Sequence, residues 1–210
     1  AVGIDPQLLP EVRPSSSIFG YYAGPITRLH GVPLSGVVGD SHAALFGQRC
    51  RPGTGKVTFG TGSSIMIPTE HASSDPSPVD TTIAFVADDA VTYAREGNVL
   101  AAGAGVDAAA QCFRFGSVAE LMRSFEEVDE TPVCYVPAFS GLAAPWWDRS
   151  AEGILVGLGR DTTAAHIARA VVESVGHQLA DIVDVVRAEG TVLTTLRADG
   201  GLTRDDSFVQ

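Results

Sequence analysis

An α/β fold is predicted by three observations. Ile167, Ala170, Val171, Ser174, Val175, Leu179, Ile182, Val183 and Val186 recur at three- and four-residue steps, the period of one face of a long helix over residues 162–188. Val57 and Phe59 precede, and Ile65 and Ile67 follow, a Gly60-Thr61-Gly62 turn, the alternation and glycine-rich tip of a β-hairpin. Residues 193–198 read as a further strand that runs into Asp199-Gly200-Gly201. Strands mixed with long helices define an α/β or α+β protein.

In chain order, Pro6, Pro10, Pro14, Gly20, Gly24, Pro25 and Pro33 restrict residues 1–35 to a short helix near Gln7-Leu8-Leu9 and to loop or edge structure. Residues 34–38 read as a short buried strand. Asp40 or Ser41 stands in the N-cap place of a helix whose Ala43, Ala44, Phe46 and Gly47 offer a small packing face. Arg51-Pro52-Gly53-Thr54-Gly55 then breaks the chain and marks a lobe boundary. Beyond the hairpin, residues 71–80 form a polar loop, and strands over 82–86 and 91–95 flank an Asp88-Asp89 turn. The Ala-rich residues 98–115 favour a helix interrupted or preceded by Gly103 and Gly105, and Val118–Phe125 reads as a second one. Gly190 sits just past the end of the long helix, where a left-handed residue stops it. The last residues read as a helix beginning, so the sequence looks cut at both ends.

With 210 residues, 45% hydrophobic and 19% charged, the chain has the makings of one substantial core or two modest lobes. A formal charge of −11 and a single lysine, Lys56, argue against a nucleic-acid partner, because phosphate neutralisation needs clustered cations. Cys50, Cys112 and Cys134 are odd in number and lack CxxC spacing, so neither a disulfide framework nor a zinc site is indicated. No apolar run approaches the roughly 18 residues of a membrane span, and the first residues lack the blocks of a signal peptide. The expected setting is the reducing cytoplasm, without a membrane partner.

Several stretches, taken together, carry a family resemblance. Leu9-Pro10-Glu11-Val12-Arg13 with Ser15-Ser16-Ser17, then Gly39-Asp40 with Ala43-Ala44-Leu45-Phe46-Gly47-Gln48, open the series. Gly60-Thr61-Gly62 follows, then Pro137-Ala138-Phe139-Ser140-Gly141-Leu142 with Ala144-Pro145 and Trp147. Gly153-Ile154-Leu155-Val156-Gly157-Leu158, His166-Ile167-Ala168-Arg169-Ala170-Val171-Val172-Glu173 and Asp199-Gly200-Gly201 complete it. In that order the chain resembles the FGGY carbohydrate kinases, and within them the glycerol-kinase-like branch. The resemblance implies the actin-like ATPase (ribonuclease H-like) fold, an α/β architecture of two lobes, present here incompletely. Residues 1–50 would be the tail of the N-terminal lobe, 51–56 an inter-lobe turn, and 57–210 a C-terminal lobe truncated at its end.

The same resemblance implies ATP and Mg²⁺, a small polyol or sugar as substrate, and leaves homo-oligomer formation open. Asp40 would be the general base, touching Mg²⁺ indirectly, for a positioned carboxylate can take the proton of a hydroxyl attacking the γ-phosphate. On residue type alone an Asp at that place is an N-cap. Thr61 and Gly62 would meet the phosphates, since glycine lets the backbone come close. Gly103, Asp107, Gly201 and Asp205 would flank the nucleotide. Two of these depart from the family pattern, Asp107 standing where Gln is common and Asp205 where Asn is usual. Ser41 and Ser64 replace the larger Gln and Phe of glycerol kinases, which predicts a wider pocket and a substrate longer than glycerol, such as a tetritol, pentitol or pentulose.

Three other readings compete. Gly39-Asp40-Ser41 also resembles the nucleophile block of SGNH esterases, with Ser41 attacking, yet no histidine has an Asp three residues before it. Asp40-Ser41-His42 resembles the start of a metallophosphoesterase site, whose further ligand blocks are missing. A non-catalytic actin-like nucleotide-binding module fits as well, because the family's first phosphate loop is not in this sequence; the chain alone is expected to be inactive. Trp146-Trp147 reads as a core or lobe contact in preference to a sugar platform, and His42, His166 and His177 read as structural.

Overall fold

The computed structural model describes residues 3–73, 75–88 and 90–209. Its centre is a five-stranded mixed sheet of β3 (Gly53–Phe59), β4 (Ser63–Thr69), β5 (Asp80–Ala87), β6 (Ala90–Val99) and β9 (Leu193–Gly200), in the order β5-β6-β4-β3-β9. Only the β3–β9 pair is parallel. Two small ribbons accompany it: β1 (Gly20–Tyr21) with β2 (Pro33–Leu34), and β7 (Cys134–Val136) with β8 (Ile154–Val156). The helices are α1 (Asp40–Gly47), α2 (Gly103–Cys112), α3 (Val118–Phe125), α4 (Ala164–Ala188) and the short α5 (Asp206–Val209).

Alternation along the strands decides which helix covers which face. Val57, Phe59, Ile65, Ile67 and Val99 point into the main core, where they meet Val106 of α2, Leu121 of α3 and Val171, Val175, Leu179 and Ile182 of α4. The other face carries Met66, Ala84 and Ala94, which pack with Leu45 of α1. Helix α4 lies so close to the sheet that a Cβ on Gly97 of β6 would stand 2.7 Å from Ile182 Cγ2. Thr163 and His166 close its N-terminus as a capping box, the imidazole Nδ1 accepting the Thr163 N–H at 3.1 Å, and Gly190 follows its end with φ +89°. His166 is therefore structural, as its sequence context suggests. Ser117 caps α3 by accepting the Glu120 N–H at 3.2 Å.

Five expectations are corrected. Residues 34–38 do not form a buried strand: β2 ends at Leu34, and Leu34, Val37 and Val38 are exposed because no layer covers them. Neither Asp40 nor Ser41 is the N-cap of α1; Gly39 is, and Asp40 is already in the first turn. The packing face of α1 is Leu45, while Phe46 is exposed with its ring edge-on to Phe85. The turn over 51–56 is shorter than expected, since β3 begins at Gly53, and Asn98 and Val99 belong to β6. The turn at Asp88-Asp89 lies partly outside the described residues; Asp88 adopts φ +49°.

Trp146 donates its indole N–H to Asp181 of α4 at 3.1 Å, and Trp147 donates to the Pro78 carbonyl at 2.6 Å. Both indoles thus tie the segment around the cis Ala144–Pro145 bond to its neighbours. Arg95, almost fully buried on β6, donates to Ser77 and to the Val79 carbonyl and pairs with Glu189, so the 71–79 loop is held against the end of α4. Among the described residues no helix is long and apolar enough to cross a membrane.

Candidate active site

Three glycine-bearing segments converge at the C-terminal end of β3. The hairpin tip closes with Gly60 N–H donating to the Gly62 carbonyl at 2.8 Å. Helix α2 starts directly against this tip: the N–H groups of Gly103 and Ala104 donate to the carbonyls of Gly60 and Thr61 at 3.0 and 2.9 Å. A Cβ on Gly103 would lie 2.6 Å from the Gly60 oxygen, and one on Gly62 would lie 2.6 Å from the Val99 oxygen. The third segment is the end of β9, where Gly200 takes φ +106° and Gly201 N–H donates to the Phe59 carbonyl at 2.8 Å. Any side chain on Gly200 would collide with Phe59 backbone atoms, the closest at 2.2 Å, so glycine is required there by both space and backbone conformation.

Thr61, Gly62, Gly103 and Gly201 therefore lie together at one strand end. Thr61 is exposed at the tip. Asp107 follows Gly103 by one helical turn and is exposed on the rim of a cavity it shares with Arg114 and Ser117. Asp205 is half-buried, and its Oδ1 accepts the Ser207 N–H at 3.1 Å, which makes its carboxylate an end cap for α5.

On the α1 side of the sheet, register assembles a polar row beside the tip. Thr58 pairs with Ser64 on β4 and Asp199 on β9, and Ser64 pairs with Asn98 on β6. The next row back is Arg197, Lys56, Met66 and Glu96. Lys56 has no exposed surface, and its ammonium donates to Thr58 Oγ1 at 3.0 Å. Burial pushes the Lys56 pKa below that of an ordinary lysine, while the carboxylates of Asp199, Glu96 and Asp40 pull it the other way. Gln48, at the end of α1, donates its amide to Asp199 and accepts from Arg197 through its carbonyl. Ser64 Oγ and Gln48 Oε1 are buried without a hydrogen-bond partner.

Asp40 is exposed at the head of α1, its Oδ1 accepting the Ser41 N–H at 2.7 Å. The carboxylate is neither walled off nor engaged in an ion pair among the described residues. Lys56, Thr58 and Asn98 of this face escape a motif-based reading. For the first two the signal is the alternation itself: Lys56 and Thr58 alternate with apolar Val57 and Phe59, which fixes them on the face away from the main core.

Known proteins resemble this chain along nearly its whole length. Residues 55–210 match the model of the C-terminal domain of the FGGY family of carbohydrate kinases. A glycerol kinase of Trichlorobacter lovleyi is 44% identical over 99% of this chain and 42% of its own length. Glycerol kinase 2 of Sulfolobus acidocaldarius is 39% identical over 100% of this chain and 42% of its own length. Among solved structures, Plasmodium falciparum glycerol kinase with ADP superposes with a TM-score of 0.85 at 32% identity, covering 97% of this chain and 42% of that one. Xylulose kinase of Rhodospirillum rubrum shares the fold, with a TM-score of 0.81 at 24% identity over 98% of this chain and 43% of that one. The chain thus spans about 42% of the length of these glycerol kinases. By its matched domain, its fold and its relatives, it belongs to the FGGY family of carbohydrate kinases, whose fold is the actin-like ATPase fold.

Proposed function

We propose that the protein containing this chain transfers the γ-phosphoryl group of ATP to a hydroxyl of a polyol or sugar. The observation that carries the reading is the convergence of the 60–62 tip, the start of α2 and the Gly200-Gly201 turn at one strand end, beside a face headed by an exposed Asp40. Residues 1–50 are assigned to the tail of one lobe and 57–210 to much of the other, with the substrate in the cleft between them. The ADP named in the Plasmodium falciparum structure supports a nucleotide as ligand.

Each residue has a role in this reading. The Thr61 hydroxyl and the backbone at Gly62 face the phosphates, and Gly103, Asp107, Gly201 and Asp205 border the nucleotide. Asp40 accepts the proton as the substrate oxygen bonds to the γ-phosphorus and the bond to the ADP oxygen breaks. Mg²⁺ keeps several waters and binds through substrate phosphates and few carboxylates, and the exposed Asp40 carboxylate is of that kind. Asp40 would reach it through water. The ion, when bound, offsets the charge of the phosphates.

Two readings of the substrate follow from different observations. The relatives named glycerol kinase favour glycerol. Ser41 and Ser64, both small, favour a longer polyol or ketose. A screen of glycerol, tetritols, pentitols and pentuloses with the intact protein, read as ADP release, decides. Turnover of at least one supports the kinase; none with any of them overturns it and leaves a nucleotide-binding module. A maximum on glycerol overturns the longer substrate alone.

A further inference from the structure

The proposed reaction makes no use of the one lysine in the sequence. Lys56 lies in the middle strands of the sheet, fully buried, yet no carboxylate forms a direct ion pair with it among the described residues. Its single hydrogen bond goes to Thr58 Oγ1 at 3.0 Å. A buried ammonium with one neutral partner costs stability, and an apolar side chain of similar volume is usually as stable or more so there. The surrounding charges indicate what offsets that cost. In the register of the sheet Lys56 stands one row behind Asp199 and in the same row as Glu96, and α1, which Asp40 heads, packs on that face through Leu45 against Met66. The charges of all three carboxylates bear on the ammonium, and Asp199 and Asp40 belong to the two halves of the proposed site. Asp199 starts the glycine turn at the nucleotide end, and Asp40 heads α1. The two are also joined mechanically, since Gln48 closes α1 and is held by both Asp199 and Arg197.

We infer that Lys56 is a positioning residue, resting on the kinase reading above: its buried positive charge holds Asp40 and Asp199 toward one face of the sheet, so that base and nucleotide turn stay in register. It touches neither substrate nor nucleotide. Its contribution is electrostatic preorganisation, which requires the charge and not merely a side chain of that length.

The test uses the intact protein with ATP and its best polyol or sugar, comparing the wild type with Lys56→Met, which keeps the volume, and Lys56→Gln, which keeps a donor toward Thr58 without the charge. The expected result is a fall in kcat of about 10-fold or more in both variants. KM for the polyol is expected to change less than about 3-fold, and the melting temperature to be equal to or above wild type. Wild-type-like kcat in Lys56→Met overturns the role, as does a Lys56→Gln variant that keeps full activity, which would assign the effect to the Thr58 hydrogen bond. A melting temperature lowered in both variants in step with kcat makes the residue structural and equally overturns it. An inactive wild type is a different failure, for it removes the kinase reading and this inference together.

Discussion

The two faces of the central sheet differ in what they ask of their residues. The face under α2, α3 and α4 is filled with Val57, Phe59, Ile65, Val171, Val175 and Ile182, and its task is completed by close packing. The face under α1 has a small apolar patch around Leu45 and Met66, and beside it Lys56, Thr58, Ser64, Asn98, Glu96 and Asp199 in register. One strand, β3, contributes to both by alternation, so its residues point by turns to the apolar core and to the polar face. Under the proposed function stability and chemistry would be separated by a single step along the chain, and substitutions on the two faces should separate in the same way.

The largest effect is expected on the polar face. Asp40→Asn in the intact protein should lower kcat by on the order of 10²- to 10⁴-fold, the range for loss of a general base, with little change in melting temperature because the carboxylate is exposed. An unchanged kcat in a steady-state assay would refute the assignment. On the opposite face, Ile182→Ala should cost about 2–5 kcal/mol in denaturant unfolding, since it empties fully buried volume over Gly97. Kinetics at a temperature where the variant is folded should be close to wild type; a loss of turnover as large as that of Asp40→Asn would erase the distinction between the faces.

The smallest effect is a pH dependence at the rim of the apolar core. Burial of the Tyr135 phenol, with a smaller contribution from Cys112, pushes its pKa up to about 12. A group whose pKa is raised on folding supports the fold below its unfolded value, about 10 for tyrosine, and that support is lost as the pH climbs toward the folded value. Wild type should therefore lose stability between about pH 10 and 12, and Tyr135→Phe should flatten that part of the profile. Superimposable profiles in urea titrations across this window would show that Tyr135 is not the cause.

The apolar face was largely legible in the sequence. Helix α3 was readable because Ser117 caps it and Leu121, Met122 and Phe125 share one side, and α4 because its stripe is long enough to make the period unambiguous. The three-residue strands β7 and β8 were not, as they are too short to show alternation and exist by pairing with each other. Residues 34–38 failed for the opposite reason: their apolar character is real, but hydrophobicity predicts burial only where another layer arrives to cover it. Thr61, Gly62, Gly103 and Gly201, proposed for the nucleotide, stand in motifs that single them out in the sequence. Lys56 and Asn98 were not legible, because their meaning depends on which strand lies beside which: Lys56 is placed by pairings of β3 with β9 across most of the chain, and Asn98 by the pairing of β6 with β4.

The tight contacts around Phe59 carry a consequence of their own. Where Gly62, Gly103 and Gly200 meet, the surfaces pressed together are main chain against main chain, with no room for even a methyl group. A grip assembled from peptide units offers the same amides and oxygens whatever side chains drift nearby. In the proposed kinase, discrimination between one small guest and another would fall to replaceable positions such as Ser41 and Ser64, leaving the glycine knot as the fixed part of the site.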